Sequence, residues 1–251
     1  ALSSAASDVY KRQLIGWYIV CEMKVWNAYI LPPPQKVFET FLKMLKDGSI
    51  FINIYASMKR VFIGFFISAI IGIPLGIFFG MVNSIYEYFK PLFNFFRNTP
   101  PLALIPMLIL WFGIGEKSKI IIIILASFFP IFTSTLKGIR NCDSKLIEVG
   151  KAFELSRLQI ILKIIIPSAV LDIAVGLKLA LGYSFRAIIG AELVAASSGL
   201  GYLISDGKEM SRTDVVIVGI IVIGILGILC DYIFSILVKK VNKGKSVEAY
   251  E

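Results

Sequence analysis

Long apolar runs alternate with short polar stretches along most of this chain. The runs at 61–82, 120–136 and 215–238 are each close to the length of one membrane crossing, which takes about 20 predominantly apolar residues. A fourth run, at 164–196, has 33 residues, and at about 1.5 Å per residue a helix of that length is too long for one crossing. We therefore predict that its first part belongs to a helix outside the membrane.

Two further runs are less regular. The run at 100–114 carries Pro100, Pro101 and Pro106, and clustered prolines in a span favour a broken or kinked helix that lines a cavity. A polar loop followed by a short helix explains the same pattern equally well. The run at 14–31 is interrupted by charged residues and is short for a span, which predicts a first span that lacks its beginning.

These patterns predict an all-α, polytopic transmembrane helix bundle with five complete spans plus a truncated first span. The small, polar residues 1–13 are interpreted either as a non-native-looking segment or as an ordinary disordered N-terminus. The rest divides into 14–60, which holds the truncated span and an interfacial helix at 35–47, a transmembrane domain at 61–240 and a cytoplasmic tail at 241–251.

Small residues recur every four positions in the first complete span. A spacing of four places side chains on one face of a helix, and a stripe of small residues on that face lets another helix approach closely inside a membrane. We predict that this stripe packs against a neighbouring helix. Its members are Gly64, Ser68, Gly72, Gly76 and Gly80.

Composition supports a membrane protein. Of the 251 residues, 57% are hydrophobic and 17% are charged, against about 25% charged in soluble domains; the mean hydropathy is +0.80. The net charge of +9 comes from basic residues between the apolar runs, as the positive-inside bias predicts, so nucleic acid is not an expected partner. The chain has no histidine and no closely spaced cysteines, so neither a metal site nor histidine-dependent hydrolase chemistry is indicated.

The segment 148–167 is a charged, amphipathic island between apolar runs. Ionised groups at the bilayer centre cost several kcal/mol each, so this island lies outside the lipid. The island and the basic C-terminal tail are both predicted to be cytoplasmic, because two spans separate them. Lys59 and Arg60 would then lie on the outer side, against the usual bias.

Basic residues also occur at membrane depth in the run that follows the island. Lys178 and Arg186 share one face with Ala174, Gly182 and Gly190, and ionisable residues inside a span are functional candidates. They would suit an anionic substrate, but pairing with Asp172, Glu192 or Asp231 to fix the bundle is the favoured alternative. The candidate pathway residues are Asn98, Thr99, Pro100, Pro101, Lys178, Arg186 and Glu192.

The island resembles the EAA loop of ABC importer permeases. That motif reads Glu-Ala-Ala, three residues, Gly, nine residues and then Ile-x-Leu-Pro. The spacing is kept by Glu148-Val149-Gly150, Glu154 and Ile164-Ile165-Ile166-Pro167. Val149 and Gly150 replace the two alanines, and Glu154 replaces a glycine that would allow a turn between two short helices.

Further motifs resemble the nitrate/sulfonate/taurine subgroup of these permeases, and the resemblance covers nearly everything from Trp17 to Lys240. They are Leu31-Pro32-Pro33-Pro34, Asn98-Thr99-Pro100-Pro101-Leu102-Ala103-Leu104-Ile105-Pro106, Leu110-Trp111-Phe112-Gly113-Ile114-Gly115 and Ser198-Gly199-Leu200-Gly201-Tyr202-Leu203-Ile204.

The resemblance implies a permease in a bacterial inner membrane, which works as a dimer with two cytoplasmic ATPases and an extracytoplasmic binding protein. A coupling helix at about 143–163 would dock in a groove of the ATPase, and the substrate would be a small solute such as a sulfonate, taurine, nitrate or a vitamin precursor. ATP and magnesium would bind the ATPase, and this chain would bind no cofactor. The implied coupling residues are Glu148, Gly150, Lys151, Ala152, Glu154, Ser156, Arg157 and Pro167.

Two other classes of function explain the sequence less well. An ion-coupled secondary transporter would show inverted repeats, and no clear internal repeat is found. A membrane-embedded enzyme would need catalytic groups clustered at one depth, which the scattered acidic and basic residues do not supply. The chain also lacks the GxxxxGK[ST] phosphate loop of an ATPase, so it is not predicted to be an enzyme.

Overall fold

The structure, a computed structural model, describes residues 12–13, 15–23, 26–27 and 29–241. The predicted segments 1–13 and 241–251 therefore lie almost entirely outside the described residues. Within the described part the fold is all-helical and without β-strands, so the predicted all-α class is confirmed.

Residues 15–22 are mostly helical and precede ten labelled helices. A 3₁₀ turn at Pro101–Leu104 precedes α4, and a π-helical turn at Ile161–Ile165 joins α7 to α8. The labelled helices are α1 Pro34–Lys46, α2 Ser49–Met81, α3 Asn83–Asn98, α4 Ile105–Phe112, α5 Glu116–Arg140, α6 Ser144–Ala152, α7 Arg157–Ile160, α8 Ile166–Ala195, α9 Leu200–Glu209 and α10 Thr213–Val241.

Four of the described stretches are long and apolar enough to cross a membrane: α2, α5, the continuous helix Arg157–Ala195 and the part of α10 at Thr213–Ile236. A fifth candidate is α3 together with Pro101–Phe112, which bend by 82° at the break between them. The prolines therefore mark a broken helix, and a second helix replaces the alternative polar loop. The prediction of five complete spans and a truncated first one stays open.

The helix that contains the first predicted span begins at Ser49, before the apolar run at 61–82. Several polar side chains in this earlier part, among them Asn53 and Ser57, are buried in protein contacts. Arg60 is 4% exposed and forms a two-pronged ion pair with Glu116, with both nitrogen–oxygen distances at 2.7 Å. Lys119, also buried, lies 3.2 Å from the same carboxylate. Partners supplied by α5 thus allow charged residues within a long apolar helix.

The described residues form two compact units. In the first, made of the chain up to Ser57 and Glu192–Leu226, α1 buries one face against α9 and α10, with Val37, Leu203 and Val218 in a shared apolar core. The segment 197–214 is polar and contains glycine, which predicts a loop, but the structure has α9 there. Its Leu200 and Leu203 are three residues apart and both buried, so the sequence there carries a helical period that the surrounding polar residues obscure.

The second unit comprises Met58–Ala191 and the chain from Gly227 onward, and the small-residue stripe of α2 lies against α5 within it. A Cβ added at Gly64 would lie 2.5 Å from a side-chain carbon of Ile123, and one at Gly76 would lie 2.6 Å from Thr135. Between these contacts Ser127 donates a 2.7 Å hydrogen bond to Ser68. The contacts follow the same spacing of four on both helices. The paired positions are 64 with 123, 68 with 127, 72 with 131, 76 with 135 and 80 with 139.

Gly76→Ala should lower the free energy of unfolding by about 1–3 kcal/mol, the usual range for overpacking a tight contact. The new Cβ would lie 2.9 Å from the Phe132 carbonyl oxygen, and backbone atoms yield little. Thermal unfolding in detergent measures the effect. Gly224→Ala is the control, because nothing lies within 4 Å of its Cβ position. Equal stabilities of the two variants would contradict the close approach of α2 and α5.

Candidate functional site

The charged island folds as two short helices, α6 and α7, each with its own N-terminal cap. Asp143 accepts the backbone N–H of Lys145 at 2.9 Å at the start of α6. At the start of α7, Ser156 Oγ accepts the N–H of Gln159, and the Gln159 side chain accepts the N–H of Ser156 at 2.9 Å. This capping box satisfies backbone donors that the helix itself leaves unpaired.

The turn between the two helices is centred on Glu154. Its φ of +54° places it in the left-handed region, which is costly for any residue except glycine. The N–H of Leu155 bonds to Gly150 O at 3.0 Å, and the N–H of Glu154 bonds to Lys151 O at 2.9 Å. These two bonds form a Schellman motif, in which the left-handed position is usually glycine.

Gly150 holds α6 close to the helix that follows the turn. A Cβ at this position would lie 2.6 Å from Ile164 Cδ1 and 3.3 Å from Ile160 Cγ1. Gly150 and Ile160 are both buried. Gly150, predicted as a coupling residue, therefore faces inward and positions the loop, and its surface is not available to a partner.

The flank of α6 next to Gly150 carries exposed large apolar side chains. Leu146, Val149 and Phe153 are 48%, 53% and 76% exposed, and their spacing of three and four places them on one helix face. We call these three residues the outer apolar face. The predicted coupling residues Glu148 and Lys151 are also exposed on this helix. The spacing of the three apolar residues could have been read from the sequence, but the prediction followed the motif and the charged residues.

A proline at 167 predicts a turn of the chain into the following span, but the chain does not turn there. The helix from Arg157 continues to Ala195, and the π-helical turn lies immediately before the proline. Proline lacks an N–H and its ring crowds the carbonyl four residues earlier. A wider π-helical turn changes the hydrogen-bond pattern at that place, so the island and the following span are joined by continuous helix.

A cavity of about 500 Å³ lies in the second unit, between the end of α3, the 3₁₀ turn and the middles of α5 and α8. Within the described residues its lining includes two arginines and no acidic side chain. Its polar lining consists of Arg97, Thr99, Thr133, Ser134, Tyr183 and Arg186. The rest of its wall is mostly apolar, and an enclosure of this size suits a small molecule.

Only part of the predicted pathway set lines this cavity. Thr99, Pro101 and Arg186 do, whereas Asn98, Pro100, Lys178 and Glu192 do not. Sequence reasoning missed four polar lining residues. They are Arg97, Thr133, Ser134 and Tyr183, which the fold brings together from α3, α5 and α8.

Lys178 lies 3.4 Å from Asp231 Oδ2. Pairing with this aspartate is one of the structural alternatives that the sequence left open for Lys178. The contact joins α8 to α10 in the second unit.

Glu192 belongs instead to a buried polar network in the first unit. It is 1% exposed, and its carboxylate accepts hydrogen bonds from Ser57 Oγ at 2.8 Å and from the Gly201 N–H at 3.0 Å. Ser57 Oγ in turn accepts the N–H of Leu200 at 2.9 Å. Side chains from α2 and α8 thus satisfy the first N–H groups of α9, which have no partner within their own helix.

Comparison with known proteins assigns the chain to a family. The family described as the inner membrane component of binding-protein-dependent transport systems matches residues 72–243.

The chain belongs to this family.

The relatives of this chain include permeases that are named for the solutes they transport. The permease is 36% identical to a Bacillus subtilis permease protein named for the transport of aliphatic sulfonates, over 92% of this chain and 83% of the relative. It is 34% identical to the taurine transport system permease of Escherichia coli, over 87% of this chain and 81% of that relative. It is 31% identical to the nitrate import permease of Synechocystis, over 89% of this chain and 84% of that relative.

Solved structures confirm the fold. A chain of the inward-facing methionine ABC transporter MetNI superposes with a TM-score of 0.67 at 19% identity, covering 76% of the permease and 94% of that chain. These findings confirm an ABC importer permease of the predicted subgroup, and an ion-coupled secondary transporter is not favoured.

The left-handed turn at Glu154 leads to a prediction about the stability of α6 in the permease. In Glu154→Gly, removal of about 1–2 kcal/mol of left-handed strain offsets the roughly 0.5–1 kcal/mol entropic cost of glycine. Amide hydrogen exchange in α6 should therefore stay unchanged or become slower. Glu148→Gly, in the interior of α6, should speed exchange, because glycine costs roughly 1 kcal/mol inside a helix. Faster exchange in both variants would argue against the left-handed turn.

The Glu192 network generates a second prediction. Gly199 has φ +119° and ψ 170°, and a Cβ there would lie 2.3 Å from Glu192 Cδ. Gly199→Ala should displace the carboxylate and lower the free energy of unfolding by about 3 kcal/mol or more. Thermal unfolding in detergent is the measurement.

Gly113→Ala serves as the matched control. Gly113 has φ +79° and ψ 173°, in the same glycine-only region, but nothing lies within 4 Å of its Cβ position. This control should show the backbone strain alone, about 1–3 kcal/mol. If Gly199→Ala cost no more than the control, the network around Glu192 would have no role in holding α9.

Proposed function

We propose that the permease forms the membrane pathway of an ATP-driven importer for a small anionic solute and couples to a separate ATPase through α6. The outer apolar face carries this proposal. A helix set between apolar spans and rich in charge lies outside the lipid, so Leu146, Val149 and Phe153 are not covered by acyl chains. Exposed apolar clusters of this kind mark protein interaction sites.

The packing of α6 also allows it to transmit movement from a bound partner to the following helix. Gly150 and Ile164 pack α6 against the following helix, and that helix continues from Arg157 to Ala195. A partner that moves α6 would therefore move a long, apolar helix directly. The docked partner is a cytoplasmic ATPase subunit, which binds ATP and magnesium, so ATP hydrolysis is not a reaction of this chain.

The substrate class rests on the relatives and on the charge of the cavity. Relatives carry names for aliphatic sulfonate, taurine and nitrate transport, and each of these solutes carries an anionic oxygen-rich group. Two arginines in the cavity match such groups. A second copy of the permease and an extracytoplasmic binding protein complete the proposed importer, which lies in a bacterial inner membrane with the C-terminus of the permease in the cytoplasm.

Phe153→Ala should weaken docking, because truncation of an anchoring aromatic residue commonly costs about 2 kcal/mol or more. We expect the amount of ATPase subunit that co-purifies with the permease, and ATP-driven uptake of taurine, ethanesulfonate or nitrate, each to fall roughly tenfold or more. Phe66→Ala is the control, since Phe66 is 57% exposed on the apolar helix α2. In this control the amount of co-purified ATPase and the uptake rate should each stay within about twofold of the unmodified protein, as expected for a surface position away from the interface.

Crosslinking provides an independent readout of the same interface. In a version that lacks the native Cys21, Cys142 and Cys230, single cysteines from Glu148→Cys and Arg157→Cys should crosslink to cysteines in the groove of the ATPase, and the yield should change with ATP. Ala169→Cys should not react, because Ala169 is 0% exposed. An assembled complex with no crosslink from either exposed site, and with full uptake by Phe153→Ala, would reject α6 as the coupling helix.

A further inference from the structure

The cavity of the second unit has an electrostatic imbalance. Arg97 ends α3 and Arg186 lies on α8, and both line the cavity. In the described part of the chain neither guanidinium has a carboxylate within 4.0 Å, although other basic residues of this unit, such as Arg60 and Lys178, do. Both arginines are exposed at the cavity, and two positive charges without a counter-charge favour an anion there.

The hydroxyl groups around the cavity differ in what they can offer an anion. Thr99 and Thr133 already donate to carbonyl oxygens of Phe95 and Phe129, at 2.9 and 2.7 Å, so their protons are committed. Among the described residues Ser134 and Tyr183 show no hydrogen bond, and their O–H groups are available as donors. The available donors of the cavity are therefore two guanidinium groups and two hydroxyls.

The position of Arg186 is set by an aromatic neighbour. Its Cζ lies 5.7 Å from the centroid of the Tyr183 ring, within the range of a cation–π interaction. This contact supports the guanidinium without neutralising it. The guanidinium of Arg186 and the hydroxyl of Tyr183 thus lie on the same side of the cavity, since the two residues are three positions apart on α8.

The remaining wall is apolar, with Leu102, Leu125, Phe129 and Leu179 among its members. A volume of about 500 Å³ exceeds what an oxyanion head alone requires and leaves apolar surface for a carbon chain. The combination of convergent donors with an apolar wall is typical of small-molecule sites.

We propose that this cavity is a binding site for a small organic anion within the translocation pathway. Arg97 and Arg186 hold its sulfonate-type head, Ser134 and Tyr183 donate to the same head, and the apolar wall contacts the carbon chain. This inference rests on the proposed import function and adds to it a site in the permease itself. It also assigns selection of charge to the membrane subunit as well as to the external binding protein.

The test is uptake of ³⁵S-labelled ethanesulfonate by proteoliposomes that contain the assembled permease and ATPase with the external binding protein. Rates are normalised to the amount of co-purified ATPase. Arg97→Gln and Arg186→Gln should each lower the maximal rate roughly tenfold or more, because each removes a charge-assisted contact. KM should stay within about twofold, since capture by the external protein is untouched.

Two variants separate charge from folding. Arg186→Lys keeps the positive charge but not the forked geometry, and should recover part of the rate lost in Arg186→Gln. Lys117→Gln removes an exposed basic residue of α5 outside the cavity and should transport like the unmodified protein. Leu102→Trp fills the cavity from its apolar wall and should lower the maximal rate while all positive charges are retained.

The outcomes distinguish this inference from the proposed function. If the unmodified complex transports ethanesulfonate, but the Arg97→Gln and Arg186→Gln variants keep rates within about twofold, the anion site is overturned and the import function stands. If Lys117→Gln loses as much activity as the arginine variants, the effect is one of net charge, and the site is likewise overturned. If the unmodified complex shows no ATP-driven uptake of ethanesulfonate, taurine or nitrate, the proposed function fails and this inference fails with it.

Discussion

Polar groups inside an apolar bundle must find partners within the protein, because lipid offers none. The structure meets this constraint repeatedly. Arg60 and Lys119 share the Glu116 carboxylate, and Ser127 donates to Ser68 at 2.7 Å. Arg97 and Arg186 differ from these residues, because both are exposed at the cavity and the described residues supply no carboxylate to either. This difference in charge pairing supports the proposed anion site.

Close helix approach is the second constraint, and it explains where glycine occurs. Hydrophobic burial gives little drive between helices in lipid, so packing and hydrogen bonds hold them together. At Gly76 and Gly150 any side chain would collide with a neighbouring element. At Gly199 a positive φ adds a backbone requirement. The glycines of the Gly-Leu-Gly motif at 199–201 thus hold Glu192 and α9 together and need no contact with substrate.

The sequence predicted what depends on local pattern. Apolar runs located the cores of the spans, and the spacing of the small residues from Gly64 onward identified the face of α2 that packs on α5. Prediction from the sequence failed where residues distant in the chain decide the local structure. The start of α2 was missed because Arg60 is neutralised by a carboxylate 56 positions away, and α9 because its N-terminus is capped by side chains of α2 and α8. The cavity combines three separate helices, so the sequence pointed to Thr99, Pro101 and Arg186 but not to the polar residues that the fold brings to them.

The long helix from Arg157 to Ala195 joins the two candidate sites of the second unit. Its first turns pack on α6 through Ile160 and Ile164, and Arg186 faces the cavity further along the same helix. Arg157 and Arg186 are 29 positions apart in the sequence, which corresponds to about 44 Å of helix, with no loop between them. The π-helical turn before Pro167 is the one irregular place in this stretch. Because an intact helix resists bending more than a loop does, movement of α6 would shift the guanidinium of Arg186, and the occupancy of the cavity would in turn favour one position of α6.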